Sequence, residues 1–335
     1  MIGSWSFHPE LGAMNRSKGF SLVELAVALA IIALLLAGAL IPLSTQIDVR
    51  NGADTQRSME SIRDAIIGFA QANGRLPCPA NGATPAGTVD TTTWATAVGA
   101  GAEQWDPANN RCYIPFGVVP WTSLGVAETD AWGRRFTYRV APAFADAISL
   151  NTWQSRQNAV PGTFPSQFAP FTPSPADQNP TCPSSSPPAV APYVLSPAPA
   201  LSSFALCSLG DIAVFTRGGA TTTGVPLGAA LPAVIISHGK NGFGAWQTTG
   251  IRLSPVPAGN DEAANVNGNT TATPSGGYSS WAFYSRTRTP AAAGCVDPAP
   301  PPATNAAPAC EFDDIVLMIS SNVLIARMVA AGRLP

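Results

Sequence analysis

Between Gly19 and Leu43 the only ionisable side chain is Glu24, at the N-terminal edge of an apolar run. A carboxylate in that setting is expensive unless paired, so it is a functional candidate; its alternative is a side chain that snorkels to the interface. Six cysteines, Cys78, Cys112, Cys182, Cys207, Cys295 and Cys310, all follow the run. None forms the C-x-x-C pair of a zinc site, and an even number beyond a membrane anchor reads as disulfides in an oxidising compartment. Of the roughly 15 pairings open to six cysteines, joining neighbours closes the shortest loops: Cys78–Cys112, Cys182–Cys207 and Cys295–Cys310. His238 would have to be the base of any Ser/His/Asp hydrolase, yet no G-x-S-x-G elbow accompanies it. Gly239, Gly242 and Gly244 do not make a phosphate loop, because no serine or threonine follows Lys240. The residues point to no enzyme and require no cofactor.

The elements that position these groups begin with a span. Leu25 to Leu43 is 19 residues without a charge, which at about 1.5 Å per residue crosses the ~30 Å of hydrocarbon. Arg16 and Lys18 precede it with no acid between Met14 and Gly19, so a single-pass helix keeps its leader in the cytoplasm and sends the rest outward. Pro42 lacks an N–H and is expected to loosen the helix. Met59, Ile62, Ile66 and Phe69 then recur at spacings of three and four among Arg57, Glu60, Arg63 and Asp64. That stripe predicts an amphipathic continuation, stopped by Asn73-Gly74 and Pro77. One helix from about Phe20 to Ala72 would be roughly 80 Å long, divided into a membrane-spanning part (20–46) and an amphipathic part (47–73).

Residues 74–335 read as one α+β head. Charged residues are 11% of the chain, against about 25% in ordinary domains. Lysine occurs only at Lys18 and Lys240 and the net charge is -2, so no basic face for nucleic acid exists. Asp130 to Tyr138 is a turn feeding a strand with Phe136, Tyr138 and Val140 on one face. Further strands are expected over 211–216, 233–237, 280–285 and 314–320, with a closing helix over 322–331, making an antiparallel sheet against the long helix. Residues 161–199 hold 12 prolines and read as an extended excursion. Trp94, Trp105, Trp121, Trp153, Trp246 and Trp281 fit a sugar-binding face or, more simply, core and disulfide packing.

The order Arg16-Ser17-Lys18-Gly19-Phe20-Ser21-Leu22-Val23-Glu24-Leu25, followed by the apolar run, resembles the cleavage and methylation signal of type IV prepilins and type II secretion pseudopilins. The resemblance implies that residues 1–19 are a leader, with translation expected to start at Met14. A prepilin peptidase would cut between Gly19 and Phe20 and methylate the Phe20 amine. Glu24, fifth after the cut, would then meet the terminal amine of a neighbouring subunit, a buried charge pair satisfied only in the assembly.

The turn Asp130-Ala131-Trp132-Gly133 is similar to the one before the first strand of major pseudopilins. Ser237-His238-Gly239-Lys240-Asn241-Gly242 and Asp313-Asp314-Ile315 resemble the two segments that hold calcium there. Asn241 stands where an aspartate is usual, and Asp261 or Glu262 could join Asp313 and Asp314. Read from the residues alone, Asn241-Gly242 is a type I′ turn and the aspartates merely open a strand.

The resemblance thus implies a pilin-like α+β subunit with disulfide-stapled loops. It would sit in the bacterial inner membrane with a periplasmic head, then pass into a pilus or pseudopilus and reach the cell surface. Its partners would be the peptidase, an inner-membrane assembly platform and other subunits. The alternatives are a filament-tip adhesin or uptake receptor, and a signal-anchored periplasmic protein that never assembles.

Overall fold

The computed structural model describes residues 21–90, 98–107, 111–145, 210–216, 225–253, 259–267, 269–272, 280–295, 297 and 310–333, with side chains except at 35–45, 267, 269–272 and 280. The Gly19–Phe20 bond, residues 161–199, Cys182, Cys207, Trp94 and Trp153 lie outside the described residues. The chain divides into two compact units, 1–50 and 51–335.

The first unit is the opening part of helix α1 (Leu22–Asn73). Ser21 and Glu24 start it with a capping box: Glu24 N donates to Ser21 Oγ at 3.1 Å, and Ser21 N donates to Glu24 Oε2 at 3.0 Å. Eight large aliphatic side chains between Leu22 and Leu34 are exposed, on every side of the helix. Among the described residues no helix is long and apolar enough to cross a membrane. The 25–43 run expected to do so passes through 35–45, whose side chains lie outside the description.

In the second unit α1 is amphipathic, as its spacing predicts. Met59, Ile62, Ile66 and Ala70 are buried, while Arg57, Glu60 and Asp64 stay exposed. Gly74 ends the helix at φ +72°, a left-handed conformation that favours glycine.

A four-stranded antiparallel sheet packs on this face. Its strands are β5 (Phe116–Val118), β6 (Thr137–Val140), β9 (Ala233–Ser237) and β12 (Ile315–Ile319), in the order β12-β9-β6-β5. A second sheet contains β7 (Ile212–Thr216), β8 (Val225–Leu231), β10 (Asn269–Ala272) and β11 (Ser280–Tyr284), in the order β10-β11-β7-β8. This second sheet corrects the expectation of a wholly antiparallel head, because β7 and β11 run parallel. The connection between them passes through β8, β9, a helix and β10, long enough for the crossover that a parallel pair needs.

Side chains of β9 alternate between two cores: Ala233 and Ile235 join the one with α1, whereas Val234 and Ile236 join Ile212, Val214 and Phe283 of the second sheet. The first sheet is therefore covered on both faces, which is why this strand is an unbroken apolar run. Strand β6 does the same with a charge: Tyr138 and Val140 face α1, while Arg139 is buried, paired with Asp211 and stacked on Trp281 at 4.5 Å.

There are two short ladders, β1 (Val89–Asp90) with β2 (Val98–Gly99) and β3 (Trp105–Asp106) with β4 (Arg111–Cys112), and the second carries Cys112 of the Cys78–Cys112 disulfide. Cys295–Cys310 is the second disulfide found, so two of the three neighbour pairs are present among the described residues. Short helices α2 (Trp121–Leu124) and α3 (Pro142–Ala145) flank β6. Helix α4 (Asn260–Asn267) and strand β8 were not expected, and helix α5 (Ser321–Ala330) closes the fold one residue from its expected place. Pro226 in β8 conceals that strand in the sequence and is tolerated because β8 is an edge.

Candidate functional site

Three elements bring carboxylates together beyond the ends of β9 and β12. The turn after β9 reverses through Gly239 (φ +56°) and Gly242 (φ +65°), with Gly242 N donating to His238 O at 2.9 Å. Ser237 Oγ donates to Asp130 Oδ2 at 2.7 Å, tying the Asp130–Gly133 turn to this one. Asp313 and Asp314 enter β12 alongside, and Glu262 arrives from the first turn of α4.

One oxygen of each carboxylate is tethered. Glu262 Oε1 accepts from Asn241 Nδ2 at 3.0 Å and Asp313 N at 3.1 Å. Asp313 Oδ2 accepts from Asn241 N at 2.8 Å, and Asp314 Oδ2 accepts from Asn265 Nδ2 at 2.8 Å. Asn265 is itself held by both backbone groups of Tyr284. The other oxygen of each, Glu262 Oε2, Asp313 Oδ1 and Asp314 Oδ1, is buried without a hydrogen-bond partner. One ligand atom from each of the three residues lies within 4.8 Å of the others.

His238 is buried beside them. Its Nε2 lies 2.8 Å from Thr137 Oγ1, and its Nδ1 is 3.6 Å from Asp314 Oδ1, too long for a hydrogen bond. The ring therefore backs Asp314 as a turn histidine, with its Nε2 engaged by the buried Thr137 hydroxyl.

Burial, and then the neighbouring Asp314 charge, push Glu262 up to about 8. Asp313 is pushed up to about 6, chiefly by burial. Such a set is uncomfortable without a proton or a cation. The oxygen-only donors suit a hard ion; calcium takes about six to eight oxygens, and three stand ready on this chain. The cradle also needs its glycine, since a Cβ on Gly239 would lie 2.6 Å from Asp313 Oδ1.

The structure separates the two acids that the sequence could not. Glu262 joins Asp313 and Asp314, whereas Asp261 turns away to an ion pair with Arg286 at 3.1 Å. Asn241 takes part through its amide instead of a charge. Asn265 and Thr137 were missed, because short polar residues on a helix and a strand carry no signal of their own.

Three of the described tryptophans are engaged by buried arginines. Arg75 stacks on Trp105 at 3.7 Å and Arg135 on Trp121 at 4.5 Å, as Arg139 does on Trp281.

Residues 14–40 match the model of the prokaryotic N-terminal methylation motif. That motif is the signature of type IV pilins and pseudopilins, and over these residues the chain is similar to them. The class is in general structural, processed by a prepilin peptidase, and anchored in the membrane before assembling with other pilin subunits. No curated protein and no solved structure shows significant similarity to the chain.

Proposed function

We propose that this protein is a structural minor pilin or pseudopilin. It is cut between Gly19 and Phe20, methylated on Phe20, and built by its N-terminal helix into a type IV pilus or type II secretion pseudopilus. The observation that carries the reading is a methylation motif at 14–40 joined to a helix whose aliphatic side chains from Leu22 to Leu34 are exposed all round. A helix apolar on every side belongs in lipid or among other helices, and each such side chain gains about 1.5–3 kcal/mol on full burial. Glu24 supplies the carboxylate that meets the terminal amine of a neighbouring subunit. The deciding experiment is the mature N-terminus by mass spectrometry: N-methylated Phe20 is expected, and a chain still carrying Arg16 would overturn the reading.

The head of this subunit binds a divalent cation through Glu262, Asp313 and Asp314, and calcium is the ion the donor set suits. The support is that each of these three clustered carboxylates keeps one buried oxygen without a hydrogen-bond partner. When bound, the ion neutralises the carboxylates and joins α4 to the start of β12. Calorimetric titration of the full chain in detergent tests it; an absence of binding at millimolar calcium would exclude the site.

A further inference from the structure

We propose that the Cys295–Cys310 disulfide and the carboxylate site are coupled, so that reduction of this bond releases the cation. The inference rests on the reading of Glu262, Asp313 and Asp314 as ligands.

Both ligand-bearing segments hang from this bond. Cys310 lies three residues before Asp313, so the bond fixes the strand entry that carries two of the carboxylates. The third is fixed through Asp297, two residues after Cys295. Asp297 Oδ1 accepts from Cys310 N at 3.2 Å and from Arg286 Nη2 at 3.1 Å. Its Oδ2 accepts from Asp261 N at 3.2 Å, in the first turn of α4, immediately before Glu262. Arg286 closes the ring by pairing with Asp261 and donating to Cys310 O at 2.9 Å.

The joint is tight and buried. Asp261 and Asp297 are both enclosed, and a Cβ on Gly259 would come within 2.0 Å of Asp297 Oδ2. Loss of the bond frees the 295–297 segment, removes the acceptor for the α4 N-terminus and leaves Glu262 without its fixed position. By contrast, Cys78–Cys112 lies by the β3–β4 ladder and none of its described contacts reaches these carboxylates.

The redox step balances with a dithiol reductant. One thiolate attacks a cystine sulfur to give a mixed disulfide, and the second thiol displaces the protein thiolate. The reductant ends as a cyclic disulfide, and Cys295 and Cys310 end as thiols after gaining two electrons and two protons between them. Linkage is reciprocal, so the cation must protect the bond by the factor by which the bond strengthens cation binding, and couplings of this kind run at roughly 5- to 150-fold.

The test uses the full chain in detergent with calcium as the probe. Thiol trapping and mass spectrometry follow each disulfide during dithiothreitol titration, with calcium and with chelator. Calcium is expected to shift reduction of Cys295–Cys310 to at least about fivefold higher reductant while leaving Cys78–Cys112 unmoved. Equal protection of both bonds, or of neither, overturns the coupling. Calorimetry on Asp297→Asn, which keeps the disulfide, should show calcium affinity reduced by at least about fivefold; unchanged affinity overturns the relay. If the oxidised wild-type chain binds no calcium, the cation reading itself fails and the coupling with it, an outcome distinct from binding that ignores the bond.

Discussion

Asn241 Nδ2 donates to Glu262 Oε1 at 3.0 Å, joining the turn after β9 to the first turn of α4. An amide there can hold one oxygen of Glu262 and leave the other without a hydrogen bond in the cluster with Asp313 and Asp314. A carboxylate there has no N–H to offer and adds a further negative charge to the cluster. Asn241→Asp is therefore expected to lower the melting temperature of the calcium-free protein and to enlarge the gain on adding calcium. Thermal unfolding with chelator and with calcium reads both; a variant as stable as wild type in chelator would refute the role given to the amide.

The same carboxylates set a pH dependence. Glu262 is raised from 4.5 to about 8 and Asp313 from 3.8 to about 6. A raised carboxyl favours the protonated native state, so its contribution is complete below the unfolded value and is lost as pH climbs through the folded one. Calcium-free protein should lose head stability between about pH 4 and 8. Calcium should flatten that slope, and Glu262→Gln should remove its upper half. Melting curves across this range check it.

Glu24 caps α1 through Ser21 and is proposed to meet the terminal amine of a neighbouring subunit, and one substitution separates the two. Glutamine is also a capping-box residue, so Glu24→Gln preserves the Ser21 hydrogen bonds but removes the charge. Helix content and cleavage should survive while filament incorporation falls at least about tenfold, the scale of a charge pair lost from an assembly. Normal incorporation would mean that the charge is not what the neighbour recognises.

The two halves of α1 should answer differently to truncation. Ile66 is fully buried in the core with Phe136 and Leu324, and Ile66→Ala should cost about 2–5 kcal/mol of head stability in a denaturant titration. Ile32 is half exposed; Ile32→Ala should leave that titration unchanged and weaken membrane retention or assembly instead.

Arg139 sits between the two sheets with Asp211 as its ion partner. Asp211→Asn keeps the shape but leaves the buried guanidinium under-compensated, with an expected loss of about 1–3 kcal/mol. Asp64→Asn, which removes the exposed pair with Arg63, should stay within about 0.5 kcal/mol. Chemical denaturation of the two variants side by side reports the difference.

Much of this fold was legible because its signals are local and periodic. The Met59–Ile62–Ile66 stripe, the alternation at Phe136–Val140 and the apolar run of β9 each state their element outright. What stayed hidden was relational. Nothing in Val225-Pro226-Leu227-Gly228 announces a strand, since an edge position alone excuses the proline. The parallel pairing of β7 with β11 depends on a crossover whose intervening helix is short and polar. The site was half visible: Asp313, Asp314 and the glycine turn could be named, and Glu262 was named beside Asp261. Choosing between those neighbours required knowing that Asp297 and Arg286 claim one of them.

Arg75, Arg135 and Arg139 are all buried, each stacked on an indole and paired with an acid. In a chain so sparing of charge, these cations are spent inside and cannot serve as handles outside. Salt acts on charges that water reaches, so it should leave these three buried pairs largely unscreened while it weakens exposed ones such as Arg63–Asp64.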